Sequence, residues 1–266
     1  MLVAIDVGNT QTLIGLFGED GDAGAARGPE LVHHGRVSTV AARTADELGL
    51  QLNQLFRMQG LDPHEAITGV AVASVVPRLR ASLREMTDKW LKVDTVILEP
   101  GVKTGMPILY DNPKEVGADR IADAVAAFER HGGPTIVIDF GTATTFEVVS
   151  AKGEYLGGVI LPGIEISLEA LFARAALLPR VELVEPRNVL ARNTVESVQS
   201  GAIYGFSAQV DGLCRRLKEE VGPATVVATG GLAGLIGPYC EAIDHHEPWL
   251  TLEGLRIIFA RNARSS

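Results

Sequence analysis

A repeat inside the chain constrains its fold more than any other feature. The apolar run Leu2-Val3-Ala4-Ile5 leads into Asp6-Val7-Gly8-Asn9-Thr10, and Thr135-Ile136-Val137-Ile138 leads into Asp139-Phe140-Gly141-Thr142. The two aspartates stand half of the 266-residue chain apart. A second β-prone run follows each turn, Thr12-Leu13-Ile14-Gly15-Leu16-Phe17 in the first copy and Thr145-Phe146-Glu147-Val148-Val149 in the second. Each copy therefore reads as strand, glycine turn, strand.

P-loop and dinucleotide folds place a helix directly after their glycine turn, so that its N-terminal amides hold phosphate. Here a hairpin follows instead. No Gly-x-x-x-x-Gly-Lys-Ser/Thr stretch occurs, and Gly230, Gly231, Gly234 and Gly237 lack the dinucleotide spacing. A duplicated unit in a chain of this length implies two domains of roughly 100 to 150 residues each. Further strands are expected at 69–73, 95–98 and 224–228, and helices at 45–58, 78–91 and 195–218, a mixed α/β alternation.

Asn112-Pro113-Lys114-Glu115 reads as a helix start, with Asn112 as cap, Pro113 at the first helical position and Glu115 reaching back. From it Ala118, Ile121, Ala122, Val125 and Phe128 make an apolar stripe, which leaves Asp119 and Asp123 together on another face. Gly132-Gly133-Pro134 ends that helix. The domain boundary is expected at this start, giving domains 1–112 and 113–266. Residues 18–29, rich in Gly, Ala and Asp, read as a mobile loop, and 262–266 as a fraying end.

A net charge of -9 without a basic stripe excludes nucleic acid as a partner. It also requires that an anionic cofactor be held by backbone amides and a metal ion. Cys214 and Cys240 have neither zinc spacing nor disulfide density and read as buried free thiols. His33-His34 and His245-His246 diverge as adjacent side chains and suit packing or exposure, not zinc. Gly205-Phe206-Ser207-Ala208-Gln209 breaks the nucleophile-elbow pattern at its last position. The N-terminal apolar run stops at Asp6, which implies no membrane span and a cytoplasmic protein.

In an Asp-x-Gly turn the glycine lets backbone approach a ligand, and the amides and hydroxyls that follow suit phosphate oxygens. A single such aspartate could merely cap its own turn. Two copies, each opening a hairpin, favour a pair of turns that cradle a nucleoside triphosphate, with Asp6 and Asp139 near the cation that offsets its charge.

These turns resemble the phosphate motifs of the superfamily of actin, the heat-shock ATPases and sugar kinases. More narrowly, Gly117-Ala118-Asp119-Arg120, Asp139-Phe140-Gly141-Thr142-Ala143-Thr144-Thr145, Gly157-Gly158-Val159-Ile160-Leu161-Pro162-Gly163 and Thr229-Gly230-Gly231 resemble, in order, the motifs of the type III pantothenate kinases. One departure is Glu147, where many members carry Asp.

The resemblance implies a duplicated two-domain actin-like ATPase (ribonuclease H-like) α/β fold, with mixed sheets and a nucleotide cleft between the domains. It implies ATP-dependent phosphorylation of pantothenate to 4'-phosphopantothenate, the first step of coenzyme A biosynthesis, with Mg2+, a monovalent cation (K+ or NH4+) and a homodimer. By the same resemblance Asp6, Val7, Gly8, Asn9, Thr10, Gln11, Thr12, Leu13 and Thr142 contact ATP, Asp139 binds the monovalent cation, and Thr229-Gly230-Gly231 lies near adenosine. Tyr110, Gly117, Ala118, Asp119, Arg120 and Thr194 would hold pantothenate, Thr194 from the neighbouring subunit, with Asp119 as general base.

Elementary chemistry supports Asp119 independently, because phosphoryl transfer to an alcohol needs a positioned carboxylate to take the proton. Arg120 can fork onto a substrate carboxylate, and the bland alternative is a surface Asp-Arg pair. Tyr110 equally suits half-buried packing, and Thr194 alone reads as a helix N-cap. Two other functions fit the residues: a kinase for a sugar or another hydroxylated acid, and a non-catalytic regulator like an accessory transcription factor. The intact Asp6, Asp119 and Asp139 argue against the second.

Overall fold

The computed structural model describes residues 1–18 and 29–263. Strand β1 (Leu2–Val7) pairs antiparallel with β2 (Gln11–Phe17), and β2 with β3 (Leu31–Ser38). On its other side β1 runs parallel to β4 (Gly69–Ser74), and β4 to β5 (Asp94–Ile97). The second sheet repeats this plan. Its central β6 (Thr135–Phe140) pairs antiparallel with β7 (Ala143–Val149), and β7 with β8 (Tyr155–Pro162). Parallel to β6 run β9 (Thr225–Thr229) and then β10 (His245–His246).

The orders β3-β2-β1-β4-β5 and β8-β7-β6-β9-β10 correspond strand for strand. The duplication therefore extends over whole sheets, beyond the hairpins in which the sequence echoes itself. Val3, Ala4, Ile136, Val137 and Ile138 are fully buried, as central strands covered on both faces must be. β3 alternates half-buried and exposed residues, the pattern of a strand with one wet face.

Eight α-helices are described: α1 (Ala45–Met58), α2 (Pro63–Ala66), α3 (Pro77–Met86), α4 (Ala118–His131), α5 (Ile164–Arg174), α6 (Thr194–Val221), α7 (Ala233–Ile236) and α8 (Leu250–Ala263). α1 opens with a capping box: Glu47 N donates to Thr44 Oγ1 at 3.3 Å and Thr44 N to Glu47 Oε2 at 2.8 Å. Its buried Leu52 and Phe56 share a core with Leu79, Leu83 and Met86 of α3 and with Ile5, Val7 and Val72 of the sheet.

Two compact units result, Met1–Ala126 joined by α8, and Ala127–Trp249. The division thus falls after Ala126 within α4, where the sequence suggests 112/113, and α8 belongs with the first unit. The reason is packing. Leu250, Leu252, Leu255 and Ile258 are buried, α8 lies against β1 and β4, and Arg256 stacks 5.8 Å from the Phe17 ring. The expected fraying at 262 does not occur. Asn262 donates to Lys103 O at 3.0 Å and accepts from Lys103 N at 3.2 Å. Residues 264–266, and 19–28 of the expected loop, lie outside the described residues.

The helix expected from Asn112 is interrupted. Asn112 caps only a 3-10 turn, Pro113–Glu115, through its side chain to Lys114 N at 3.3 Å. Val116 is extended, with ψ of 122°, and α4 begins afresh at Ala118. Asp119 therefore lies in the first turn of α4, while Asp123, one turn on, is buried. Gly205–Gln209 is an interior stretch of α6. Cys214 and Cys240 are free and buried, and burial pushes both thiols up to about 12. No described helix is long and apolar enough to cross a membrane.

Candidate active site

In the first unit β1 carries Asp6 one residue before its end, opposite Leu13 of β2 and Ala73 of β4. Gly8 N donates to Gln11 O at 3.0 Å and closes the turn. Thr39 N donates to Thr10 O at 2.9 Å, and Thr12 Oγ1 meets Thr39 Oγ1 at 2.8 Å, so the end of β3 fastens the turn from outside. Val7 and Thr12 are buried and Leu13 half-buried, while Asn9, Thr10 and Gln11 are exposed. The turn thus offers its backbone and polar side chains from a rigid hairpin.

Gly117 and α4 set the geometry of Asp119. Arg120 N donates to Asp119 Oδ1 at 2.8 Å, and a Cβ on Gly117 would lie 2.4 Å from that oxygen. The glycine is what lets the carboxylate fold back over the helix start. Burial raises the Asp119 carboxyl above the ordinary range, against the lowering effects of the Arg120 amide and guanidinium charge. Arg120 is itself only 9% exposed, which removes the surface-pair alternative.

Gly117 and Ala118 line a cavity of about 520 Å³ in this unit. Ser74 and Val75, at the end of β4, form another part of its wall, and Val75 N donates to Val7 O at 3.1 Å. The cavity thus adjoins the segment that carries Asp119, and one residue of its wall is hydrogen-bonded to the strand that ends in the Asp6 turn. Tyr110 is half-buried and is not among the lining residues. Ser74, Val75 and Arg80 were not singled out from sequence. Their signal is the break Ser74-Val75-Val76-Pro77 after a buried strand.

In the second unit Asp139 occupies the place on β6 that Asp6 has on β1, opposite Thr145 of β7 and Thr229 of β9. Gly141 N donates to Ala143 O at 3.1 Å and closes this turn, with Thr142 exposed at its tip. Gly230 has φ of +93°, and a Cβ there would lie 2.2 Å from Asp139 Oδ1 and 2.6 Å from Phe140 N. The Thr229-Gly230-Gly231 turn is thus seated directly on the Asp139 carboxylate. Glu147 is fully buried at the centre of β7, opposite Val137 and Gly158.

Thr194 is the first residue of α6 and not its cap. The cap is Asn193, whose Oδ1 accepts from Glu196 N at 2.9 Å while its Nδ2 donates to Glu196 Oε2 at 2.9 Å. Asn193 and Glu196, three residues apart, thus form a reciprocal pair at capping-box spacing. Thr194 is left exposed.

Two sheets of one topology, each with an Asp-x-Gly turn ending its central strand, define the sugar-kinase and actin-like class of α/β ATPase fold. The chain has the same fold as a Campylobacter jejuni protein assigned to the Baf family of transcriptional activators, with a TM-score of 0.61 at 17% identity over 98% of this chain and 99% of that one. A Chromobacterium violaceum protein assigned as an N-acetylglucosamine kinase gives a TM-score of 0.51 at 13% identity over 97% and 98% of the two chains. Within that class the chain belongs to the type III pantothenate kinase family, whose sequence profile matches residues 2–216. The type III pantothenate kinase of Myxococcus xanthus is 54% identical over 266 residues, covering 100% of both chains.

Proposed function

We propose that this chain transfers the γ-phosphoryl group of ATP to the primary hydroxyl of pantothenate, giving ADP and 4'-phosphopantothenate for coenzyme A synthesis. The observation that carries this reading, beside the family, is the placement of Asp119. A partly desolvated carboxylate stands at the start of α4, next to a cavity lined by Gly117 and Ala118 and by Val75, which is hydrogen-bonded to Val7 of β1. The acceptor oxygen forms a bond to the γ-phosphorus, the bond from that phosphorus to the β-bridging oxygen breaks, and Asp119 takes the hydroxyl proton.

In this reading Asp6 to Leu13 and Thr142 hold ATP by turn amides and hydroxyls. Tyr110, Gly117, Ala118, Arg120 and Thr194 hold the acceptor. Among the described residues no three His, Cys, Asp or Glu side chains gather as a metal cage. Asp6, a carboxylate near the end of β1, suits a magnesium ion carried on the triphosphate, where it offsets phosphate charge. Asp139, a carboxylate beside the Gly141-Thr142 turn, suits a weakly held monovalent cation such as K+ or NH4+.

The test is ATP consumption coupled to mass detection of 4'-phosphopantothenate, with magnesium and with or without potassium. Product that rises with potassium is expected, and Asp139→Ala should abolish the potassium response. Product absent under both conditions rejects the function, and a potassium response that survives in Asp139→Ala moves the cation elsewhere. A kinase of other hydroxylated acceptors would turn over sugars and not pantothenate, and a regulator would do neither.

A homodimer fits the second unit. Leu156 and Ile160 on β8, with Leu177, Val189 and Leu190 before α6, are exposed, and large apolar side chains left in water suit an interface. Leu177 is 95% exposed and Leu190 82%. A second copy over this surface would carry the neighbouring Thr194 to its partner's site. Light scattering should give twice the chain mass, and a monomer at assay concentration would remove this assignment. An enzyme that draws on ATP for coenzyme A synthesis is placed in the cytoplasm.

A further inference from the structure

The cavity of the first unit carries a cation that none of these roles uses. Arg80, in the first turn of α3, is half-buried and lines the cavity. Its Nη2 donates to Ser74 O at 3.2 Å. Among the described residues that carbonyl is its one acceptor, and no carboxylate lies within ion-pair distance. A guanidinium presents a planar fork of donors matched to an oxyanion. Holding it partly out of water with most donors unused is costly unless a ligand supplies the anion.

The neighbouring charges do not supply one. Glu99, also on the cavity wall, is paired with Arg84 at 3.2 Å. Glu115 accepts from Asn112 Nδ2 at 2.7 Å. Lys114, the other cation of the wall, is exposed. Much of the remaining wall is apolar, with Leu98, Val102, Met106 and Ile108. The cavity thus has an apolar body, one preorganised guanidinium beside Ser74, and the Asp119 segment at Gly117 and Ala118. Those parts match an acceptor with a hydroxyl, an aliphatic middle and a carboxylate. Arg120 acts electrostatically on Asp119, so Arg80 adds a second guanidinium to the one beside the base.

We propose that Arg80 is a specificity-determining residue that forks onto the carboxylate of the acid acceptor bound in this cavity. The assignment rests on the pantothenate reading above and names a contact within it. A fork of this kind makes two parallel charge-assisted hydrogen bonds, stronger than neutral ones. The same fork would accept a phosphoryl oxygen, so the test separates the two oxyanions.

The experiment is steady-state kinetics of the intact protein and of Arg80→Gln and Arg80→Lys, with pantothenate and with panthenol, its neutral counterpart bearing an alcohol in place of the carboxylate. Arg80→Gln should raise KM for pantothenate about tenfold or more and leave its kcat, and KM for panthenol and for ATP, within about twofold. Arg80→Lys, which keeps charge but loses the fork, should raise KM for the acid about threefold. If Arg80→Gln does not fold, Arg80→Lys decides alone, and an unchanged KM for the acid overturns the proposal. Equal losses with acid and alcohol, or an effect confined to KM for ATP, assign the oxyanion to phosphate and also overturn it. Wild-type turnover of pantothenate is the control: its absence removes the acceptor and this contact together, whereas its presence with unaltered variants removes Arg80 alone.

Discussion

Asp119→Asn should lower kcat by about a hundredfold to ten-thousandfold, the range over which a positioned base contributes, while ATP binding persists. Asparagine keeps the Oδ1 that accepts the Arg120 amide, so the helix start retains its geometry and only proton acceptance is lost. Unchanged turnover would remove Asp119 as the base. The pH dependence has a definite sign. The base works deprotonated, and burial raises its carboxyl, so wild-type activity should fall with decreasing pH at a higher pH than an ordinary aspartate gives.

Stability moves the other way. A carboxyl raised in the folded state binds its proton more tightly there than in the unfolded chain, so its ionisation destabilises the fold as pH rises past the unfolded value. The neutral asparagine removes that cost. The variant should melt at or above the wild-type temperature at pH 8, which separates lost chemistry from lost structure in a single preparation.

Gly230→Ala should destabilise the second unit by about 2 to 5 kcal/mol, combining a left-handed residue that gains a Cβ with overpacking against fixed neighbours. The φ of +93° requires glycine, and the new methyl would lie 2.6 Å from the amide nitrogen of Phe140, backbone that cannot rotate away. The carboxylate at 2.2 Å must also move, so nucleotide affinity and the potassium response should fall with stability. Hydrogen exchange in β6 and β9 reads the effect within the unit, where one melting curve for two units would blur it. Unaltered protection in both strands would show that the turn relaxes freely.

The hairpins around Asp6 and Asp139 were legible because apolar runs of fixed length met a turn that needs glycine twice in one chain. β3 and β8 were not, since outer strands with a wet face dilute that signal: Leu31-Val32-His33-His34-Gly35-Arg36-Val37-Ser38 has little continuous hydrophobicity. The Asn112 signature correctly marked a cap, but three residues of 3-10 helix and an extended Val116 reset the chain before α4. Local capping chemistry does not encode how long a helix lasts. Asp119 and Gly117 were visible as a motif, yet their mutual dependence at 2.4 Å is a fact of side-chain direction that spacing does not carry. The break at 74–77 places Arg80 near a strand end but assigns it no role, because what distinguishes it is that no described carboxylate lies within ion-pair distance.

The return of α8 to the first unit sets an order of events during synthesis. Domains generally fold as they leave the ribosome, the earliest residues first. Here the sheet that is made first is completed last, because the helix covering β1 and β4 begins only at Leu250. The second unit, Ala127–Trp249, is continuous in sequence and can close while the strands bearing Asp6 still wait, partly bare, for the helix that begins at Leu250. A nascent chain halted before Leu250 would therefore leave the β1 and β4 face uncovered in the unit that holds Asp6 and Asp119, and would present it to chaperones in place of α8.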